Sequence, residues 1–327
     1  MQAEILFIKT SSLGDVVHHM PAVTDARRYL PQARLSWVVE EAYAPLARLH
    51  PAIDEVIPVA TRRWRASPLS PATWRDIGRF RDAIRTRSYD TVIDTQGLLR
   101  TAMIAKSARG PRHGYGPGSI REPLASLFYD VRHKVAWRAH AIPRNRALCG
   151  LALGYEPKPP LDYGLDRAAV AGMAGAAAKA ARPYAVLIHA TAQPGKRWAE
   201  AHWVAVVRGV RDRGFDVVLP WGADAERASS EAIAAAAGFG EVPQRRPLDA
   251  VAALIAGASF VIGVDTGLVH VAAALGVPLV AIFIDSEPGL TGPMGTGPIA
   301  VVGGKGSAPE PVEVLRALDG VAARVES

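Results

Sequence analysis

Short apolar, β-rich runs alternate with longer helical patterns along the chain, and this alternation limits the possible folds more than any other feature. Eight runs read as strands: Ile5–Ile8, Leu35–Val39, Val56–Val59, Thr91–Asp94, Tyr184–His189, Asp216–Leu219, Ser259–Gly263 and Leu279–Ile284. Helical patterns lie between them, for example at Pro21–Leu30, Thr73–Arg87, Ala201–Arg213 and Leu248–Ala256. Such alternation predicts right-handed βαβ units, mostly parallel sheets and hence an α/β fold.

The strand–helix pattern occurs twice, on either side of the Pro/Gly-rich segment Gly154–Gly164. We therefore predict two doubly wound domains, at residues 1–160 and 161–310, followed by a terminal helical segment at 311–327. Open parallel sheets bind ligands beyond the carboxyl ends of their strands. Functional side chains should accordingly follow strands, and the two domains should face each other across a cleft.

Charge is distributed unevenly along the 327 residues. Residues 1–165 hold 24 Lys and Arg against 15 Asp and Glu, a net charge of +9, whereas residues 166–327 carry −2. The basic half should face an anionic partner, which could be nucleic acid, a phosphorylated lipid surface or a phosphorylated substrate. The single cysteine, Cys149, excludes an internal disulfide and a cysteine-rich zinc site and fits a reducing compartment.

Neither a signal peptide nor a membrane span is expected. The first residues read as a strand, and the longest apolar stretch, Gly267–Ile284, is interrupted by His270 and by a Gly-Val-Pro turn. We expect a cytoplasmic protein.

Several nucleotide-binding classes are excluded by missing motifs. No G-x-G-x-x-G follows the first strand of either domain, which argues against a nicotinamide dehydrogenase. The string Gly303–Ser307 has Gly306 where a P-loop needs Ser or Thr. No helix-turn-helix or aromatic RNA-binding signature is present.

The turn after the first strand, Lys9–Asp15, is rich in Ser and Gly and suits an anion or a sugar. Asp15 could act in catalysis or could cap the following helix, and position alone leaves both open. His18 and His19 raise a metal site as a further, weaker reading, since no other acid or cysteine lies nearby.

The string Val261–His270 runs from an apolar strand through Asp265-Thr266-Gly267 into a helix. Thr266 and Gly267 would present N–H groups at a helix N-terminus, where phosphate is favoured, with His270 one turn on. Capping by Asp265 and packing by His270 are the structural alternatives, but the whole string favours a binding role.

Three further groups of polar residues could carry function. Thr191 and Lys196 follow a strand and suit a diphosphate, although Lys196 could also be an ordinary loop lysine. Glu226 follows another strand and could bind ribose hydroxyls or lie on a surface helix. Arg62, Arg63, Arg65 and Arg121 suit phosphate or carboxylate recognition, with solvated surface arginines as the alternative.

Seven stretches together resemble the ADP-heptose:lipopolysaccharide heptosyltransferases, and the resemblance runs from the first strand to at least Pro278. They are KTSSLGDVVHHMPAVTDA, WVVEEAY, IPVATRRWR, DTQGL, REPLASLFYD, WGADAE and DTGLVHVAAALGVP. Several are long, which makes the resemblance specific. Within the family, the chain is most similar to the enzymes that add the first heptose to the Kdo sugar of the inner core.

The resemblance implies a GT-B fold, in which two Rossmann-like domains face a central cleft. The N-terminal domain would hold the lipid-linked acceptor, the C-terminal domain the nucleotide sugar, and the last helix, Pro311–Val325, would cross back to the first domain. The implied enzyme is an inverting glycosyltransferase. It would transfer L-glycero-D-manno-heptose from ADP-heptose to Kdo-lipid A while peripherally associated with the cytoplasmic face of the inner membrane.

The resemblance also implies roles for single residues, with the catalytic base on Asp15. Donor binding is assigned to Thr191, Lys196, Glu226, Arg246, Asp265, Thr266, Gly267 and His270, and acceptor binding to Lys9, Arg62, Arg63, Arg65 and Arg121. Two positions depart from the family pattern. Ala192 stands where relatives can carry a second hydroxyl residue, and Arg246 stands where an apolar side chain is expected.

An inverting transfer needs one carboxylate for the acceptor proton and positive potential for the departing ADP. A helix N-terminus and a lysine can carry the diphosphate charge, so no metal or other cofactor is expected. Two alternatives stay open. A related heptosyltransferase could act on another core acceptor, such as the second heptose position, and a basic nucleic-acid-binding protein would also explain the charge.

Overall fold

The computed structural model describes residues 2–173, 182–191 and 193–326. The chain divides into two compact units, Met1–Gly164 and Leu165–Ser327, so the division falls at the end of the predicted linker. Ala192, one of the two positions that depart from the family pattern, lies outside the described residues.

The first unit is a six-stranded parallel sheet with helices between its strands. The strands are β1 Glu4–Ile8, β2 Arg34–Glu40, β3 Glu55–Val59, β4 Thr91–Asp94, β5 Arg112–Tyr115 and β6 Val131–His133. The helices are α1 Leu13–Tyr29, α2 Ala44–Ala47, α3 Thr61–Ala66, α4 Pro71–Arg85, α5 Leu99–Ser107 and α6 Ala141–Leu153, with short 3₁₀ segments at Glu41–Tyr43 and Pro123–Phe128. The strand order is β3-β2-β1-β4-β5-β6, the doubly wound order of a Rossmann-like domain.

Strands β5 and β6 are absent from the sequence prediction, because neither carries an apolar run. Their sequences, RHGY and VRH, are polar and only partly buried, as is usual toward the edge of a sheet. Backbone pairing of β5 with β4, and of β6 with β5, places them in the sheet instead.

Helix α1 begins at Leu13, eight residues before the predicted start at Pro21. Ser12 and Asp15 form a capping box at its N-terminus, a start signal that outweighs proline's preference for the first helical position. The helix continues through Pro21, since Val16, Val17 and Met20 are fully buried before it. Asp15 is therefore on the first turn of a helix rather than in a loop.

The second unit is a five-stranded parallel sheet in the order β11-β10-β9-β7-β8. Its strands are β7 Tyr184–Ile188, β8 Asp216–Val218, β9 Phe260–Val264, β10 Leu279–Phe283 and β11 Ile299–Gly303. Its helices are α7 Arg167–Gly172, α8 Glu200–Asp212, α9 Asp224–Ala237, α10 Leu248–Gly257, α11 Gly267–Ala274, α12 Pro288–Thr291 and α13 Pro311–Glu326, with a 3₁₀ segment at Pro194–Lys196. Strand β11 pairs with β10 and is a further strand that the sequence prediction lacks.

The terminal helix α13 packs on the second unit. Val314, Leu318 and Val321 form one apolar stripe with the spacing of a helical face. All three are buried in the core that β7, β9, β10 and α8 build. This apolar stripe determines where the helix packs. None of the described helices is both long enough and apolar enough to cross a bilayer.

Acid should destabilise the first unit through the buried His50. The Ala52 N–H donates to His50 Nδ1 at 3.2 Å, a bond that protonation of Nδ1 would break. Burial lowers the pKa of His50 to about 4, whereas an unfolded histidine titrates near about 6.5. The folded state binds fewer protons between these values. The free energy of unfolding should therefore keep this contribution above pH ~6.5 and lose about 1.4 kcal/mol per pH unit from ~6.5 down to ~4.

Urea denaturation at a series of pH values measures this loss. The His50→Asn variant should show a shallower slope in that window, because its amide oxygen can still accept a hydrogen bond but does not titrate. The same replacement at the partly exposed His202 is the matched control. An unchanged slope in His50→Asn would contradict the assignment.

Candidate active site

The strand order of the first unit brings two loops together. Strands β1 and β4 are neighbours at the centre of the sheet, and the chain leaves them toward opposite edges. At such a switch point the loops beyond the carboxyl ends diverge and leave room for a ligand. The loop after β1 leads to Asp15, as predicted from the sequence.

Gln96 and Arg100, which both follow β4, hold the loop between β1 and α1 in place. Gln96 Oε1 accepts hydrogen bonds from the backbone N–H of Thr10 at 2.8 Å and of Ser11 at 3.2 Å, and its amide nitrogen donates to the Ser11 carbonyl. Arg100, in the first turn of α5, donates to Ser11 Oγ at 3.2 Å. Four of the loop's polar groups are thus bound by residues 85 to 89 positions away.

Asp15 is half-buried and belongs to the capping box of α1. Its Oδ2 accepts from the Ser12 N–H at 2.8 Å and from Ser12 Oγ at 3.1 Å. Both bonds end on the same oxygen, so Oδ1 retains the capacity to accept a further hydrogen bond. The structural reading of Asp15 as a cap is therefore correct, and it is compatible with a catalytic role for the other oxygen.

Lys9, predicted to bind the acceptor, is buried within the first unit. Its Nζ donates to the Thr95 carbonyl at 2.8 Å and approaches Asn145 Oδ1 at 3.4 Å. Burial lowers the pKa of Lys9, and the negative charges of Asp15 and Asp94 oppose that shift. In this structure Lys9 supports the loop from inside rather than presenting an ammonium on the surface, because its internal partners bind it.

The two histidines of α1, His18 and His19, pack against different side chains. His19 packs edge-on against Phe7 and Trp37, with Nδ1 3.3 Å from Thr95 Oγ1, and burial lowers its pKa well below the usual value. His18 packs against His140. Among the residues that the structure describes, no three His, Cys, Asp or Glu side chains are arranged to hold a metal ion.

The arginines of α3 differ in their availability. Arg63 makes two hydrogen bonds to the Glu41 carboxylate, at 3.1 and 3.0 Å, and a third to Asp76. These carboxylates, Glu41 first, raise the pKa of Arg63 above its ordinary value. Arg63 therefore joins the first unit's own elements, a role that differs from the predicted acceptor contact.

The remaining predicted acceptor cations are more accessible. Arg62 stacks on the Tyr43 ring and donates to its hydroxyl at 2.6 Å. Arg65 and Arg121 are exposed, and within the described part of the chain neither forms an ion pair. Arg65 and Arg121 are thus the predicted cations best able to meet an external anion.

In the second unit, three adjacent strands end beside one another. Ile188 of β7 lies opposite Gly263 of β9, and Ile282 of β10 lies opposite Val264. The loops that follow these strands carry most of the predicted donor residues and emerge at the carboxyl end of the sheet. Here too the switch point, between β7 and β9, coincides with the predicted site.

Lys196, on the loop after β7, and Asp265, directly after β9, form an ion pair at this end of the sheet. Lys196 Nζ donates to Asp265 Oδ2 at 2.6 Å, and Ser286 Oγ donates to the same oxygen at 2.6 Å. Asp265 is buried, whereas Lys196 keeps 19% of its side chain exposed. The structure thus brings together two predicted residues that are 69 positions apart, with the lysine on the solvent side.

Helix α11 begins immediately after Asp265. Thr266 is its N-cap residue and uses no side-chain cap bond, and Gly267 is the first helical residue. The helix lies close to the sheet because Gly263 has no side chain, since a Cβ there would come within 2.7 Å of Val269 Cγ1. His270, on the same first turn, is buried. The N-terminus of α11, with its partial positive charge, therefore lies at the carboxyl end of the sheet.

Thr191 lies on the neighbouring loop after β7 and is buried, with its Oγ1 3.4 Å from the Gln193 nitrogen that donates to it. His189, at the start of the same loop, shares a 2.7 Å hydrogen bond with Ser230 Oγ. Burial lowers the pKa of His189, and the charge of Glu226 opposes the shift. The loop is therefore fixed to α9, the helix that carries Glu226.

Glu226 lies in the first turn of α9 and caps the N-terminus of that helix. Its Oε2 accepts from the N–H groups of Gly222 at 2.8 Å and Ala223 at 3.1 Å. Trp221 in the same turn donates to the Pro243 carbonyl at 2.7 Å, which ties this turn to the loop that carries Arg246. Arg246 is partly exposed. The turn at the start of α9, which Glu226 caps, is thus connected to the loop that carries Arg246.

Gln96, Arg100 and Ser286 are site residues to which the sequence reasoning assigned no role. Gln96 lies inside the string DTQGL, which follows a strand, so its position was a usable signal. Arg100 and Ser286 sit next to predicted residues only because of strand order, which no local pattern in the sequence shows.

The comparisons with known proteins agree on one family. The model of glycosyltransferase family 9 (heptosyltransferase) matches residues 77–316. Lipopolysaccharide heptosyltransferase 1 of Pseudomonas aeruginosa is 43% identical over 296 residues, which span 89% of this chain and 81% of that protein.

Two solved structures are similar over nearly the whole chain. The E. coli heptosyltransferase WaaC with ADP has a TM-score of 0.90 at 37% identity, covering 98% of this chain and 100% of its own. WaaC with ADP-2-deoxy-2-fluoro heptose has a TM-score of 0.83 at 37% identity, covering 98% and 99%. These matches confirm the predicted GT-B class with two Rossmann-like domains. On the family match and the 43% identity, the chain belongs to glycosyltransferase family 9, the heptosyltransferases.

Proposed function

We propose that this protein is an inverting glycosyltransferase that transfers L-glycero-D-manno-heptose from ADP-heptose to a Kdo residue of the lipopolysaccharide inner core. The observation that carries the proposal is the extended identity to a lipopolysaccharide heptosyltransferase 1, together with a similar structure whose ligand is an ADP-heptose analogue. Because this relative is a heptosyltransferase 1, we propose that the protein adds the first heptose rather than the second.

The second unit supplies the chemistry that an ADP leaving group needs. As the bond between the anomeric carbon and the diphosphate breaks, negative charge accumulates on the phosphate oxygens. Lys196 and the N–H groups at the start of α11 place positive charge at the carboxyl end of the second unit's sheet, where it can stabilise the negative charge of the phosphate oxygens. Because these groups can carry the diphosphate charge, the proposal needs no metal ion or other cofactor.

The first unit supplies a carboxylate for the acceptor. In a single displacement the acceptor hydroxyl oxygen forms the new bond to the anomeric carbon while its proton passes to a base. We assign that base to Asp15, because Ser12 holds its Oδ2 and leaves Oδ1 able to accept a proton. Gln96 and Arg100 act as positioning residues, since they fix the loop that orients Asp15.

The charge of the first unit matches the acceptor. Kdo-lipid A carries carboxylate and phosphate groups, and residues 1–165 carry a net charge of +9. We propose that the protein works in the cytoplasm, peripherally associated with the inner membrane, and that nucleic acid is not its partner. The positive charge then serves acceptor binding.

One experiment tests the proposed function. ADP release from ADP-heptose is measured with three acceptors: a Kdo-bearing lipid A, the same lipid already carrying one heptose, and lipid A without Kdo. Release with the first acceptor alone, with a product heavier by one heptose, supports the proposal. Release only with the heptose-bearing acceptor would move the enzyme to the second position, and no release with any of them would refute the assignment.

Arg65 and Arg121 should affect the acceptor and not the donor. Each Arg65→Ala and Arg121→Ala variant should raise the acceptor KM by about tenfold, because a charge-assisted hydrogen bond to phosphate or carboxylate is lost. The donor KM should stay unchanged. Steady-state kinetics with each substrate varied in turn measure both constants.

Arg48→Ala, which removes another exposed cation of the same unit, is the control for net charge. If it raises the acceptor KM as much as the other two variants do, the effect is general electrostatics and the assignment fails.

A further inference from the structure

An exposed apolar surface lies beside the loop that leads to Asp15. It consists of two side chains of α5 and two of the 3₁₀ segment Pro123–Phe128. Their exposed fractions are 40% for Leu99, 50% for Met103, 65% for Leu124 and 66% for Leu127. We call these four residues the apolar patch.

The local geometry places the four side chains on one surface. Leu99 and Met103 are four residues apart on a helix, and Leu124 and Leu127 are three apart in a 3₁₀ turn, so each pair shares a face. The two elements pack against each other. Their starts are tied by the bond from the Leu99 N–H to Glu122 Oε2, at 2.6 Å.

The patch is also held firmly. At the far end of the two elements, the Lys106 ammonium lies 5.4 Å from the centre of the Phe128 ring. Tyr129, the next residue, donates to the buried carboxylate of Asp94 at 2.7 Å. The apolar side chains are therefore displayed by a fixed framework, and their exposure is not the result of a loose loop.

Positive charge surrounds the patch in the sequence. Residues 99–138 contain eight Lys and Arg against two Asp and Glu, a net charge of +6. Arg132 and Lys134, on and just after β6, are exposed, and within the described ranges neither has a carboxylate partner. Exposed apolar side chains combined with exposed cations of the same unit suit a bilayer that contains anionic lipids, which attracts the cations and takes up the apolar groups.

A second copy of the chain fits this surface less well. Two copies would bring together like charges, because each chain carries +7 overall. Four side chains also offer far less than the roughly 800 Å² per partner that a stable dimer buries. Charge and size both favour the lipid surface.

We propose that the apolar patch, with Arg132 and Lys134, is the surface by which the protein docks on an anionic bilayer. This inference rests on the proposed function, in which the acceptor sugar is attached to a membrane lipid. Arg100 follows Leu99 directly and donates to Ser11 Oγ at 3.2 Å, so the patch adjoins the loop of the assigned base. A sugar attached to a lipid in that bilayer would therefore enter next to Asp15.

Vesicle co-sedimentation of the full chain tests the docking surface. The probes are vesicles of phosphatidylethanolamine with phosphatidylglycerol, and vesicles of phosphatidylcholine alone. The wild-type protein should bind the anionic vesicles more tightly. The Leu124→Ser/Leu127→Ser variant should lose at least about tenfold of that affinity, because two exposed apolar groups that would enter the bilayer are removed. Arg132→Glu/Lys134→Glu should lose at least as much, and only with anionic vesicles.

The matched control is Leu151→Ser/Val312→Ser, which removes two similarly exposed apolar side chains elsewhere. Equal binding by the Leu124/Leu127 variant and the wild type would overturn the proposal. So would an equal loss in the control variant, or sedimentation velocity showing a dimer that the Leu124/Leu127 variant dissolves. If the serine variant fails to fold, as judged by circular dichroism, the charge-reversal variant decides in the same way.

ADP release with a water-soluble, Kdo-bearing acceptor separates this inference from the proposed function. Both multiple variants should retain wild-type release, because the patch does not touch the assigned base. Loss of vesicle binding with normal release supports the docking surface. Normal release without any wild-type vesicle binding would refute the surface and leave the enzyme assignment standing, and vesicle binding without release would do the reverse.

Discussion

Replacing Asp15 by Asn should lower the turnover number by about 10²- to 10⁴-fold, the usual contribution of a general base. The amide oxygen of Asn can still accept the Ser12 hydrogen bonds that Asp15 Oδ2 accepts, so α1 should keep its cap. The dissociation constant for ADP-heptose should stay within about twofold, because the assigned donor residues belong to the second unit. Single-turnover kinetics and isothermal titration calorimetry measure the two quantities.

The capping role of Asp15 makes a second variant necessary. Ser12→Ala removes the hydroxyl donor but retains the carboxylate, so it should cost about 1 kcal/mol of stability with little loss of turnover. If Ser12→Ala slows turnover as much as Asp15→Asn does, the importance of Asp15 lies in the cap and the base assignment is wrong.

Replacing Lys196 by Ala should weaken ADP binding by roughly 10- to 100-fold, because a charge-assisted hydrogen bond to the diphosphate is lost. The same variant should lower the free energy of unfolding by about 1–3 kcal/mol, since the buried Asp265 carboxylate loses its ion-pair partner. Calorimetric ADP titration and urea denaturation measure these effects. Arg208→Ala, on α8 of the same unit, is the control for the lost charge.

A double variant separates the two consequences. Lys196→Ala/Asp265→Asn removes the unpaired carboxylate and keeps an oxygen to which Ser286 can donate. Its stability should recover toward that of the wild type, whereas its ADP affinity should remain low. Recovery of ADP affinity would mean that Lys196 acts only by neutralising Asp265, which would contradict its assignment to the diphosphate.

Much of the fold was predictable because the strands that build the sheet centres are continuous apolar runs. Strands β1, β4, β7 and β9 were all found in this way, and the candidate residues after them could be located at the same time. Strands β5 and β6 were missed because they lie toward a sheet edge and carry no apolar run. Strand β11, whose sequence is IAVVG, is apolar and was missed all the same. The apolar stripe of the terminal helix packs on the second unit, and its crossing back to the first unit stays a prediction.

The candidate site was predictable in its positions and less so in its contacts. Asp265, Thr266 and Gly267 could be placed at a helix start from strand and turn signals alone. The state of Arg63 could not be predicted in this way, because its partners Glu41 and Asp76 come from other elements of the chain. Lys9 shows the same limit, since only the packed unit reveals that its ammonium is buried.

The sequence by itself determined which segments become strands and helices, and hence which polar side chains emerge at strand ends, because periodicity and turn chemistry act over a few neighbouring residues. The tertiary structure decided which of those side chains meet and which cations stay free. Lys196 pairs with Asp265 across 69 residues and Gln96 binds Thr10 across 86. Such pairings follow from strand order, which depends on how whole elements bury their apolar faces together.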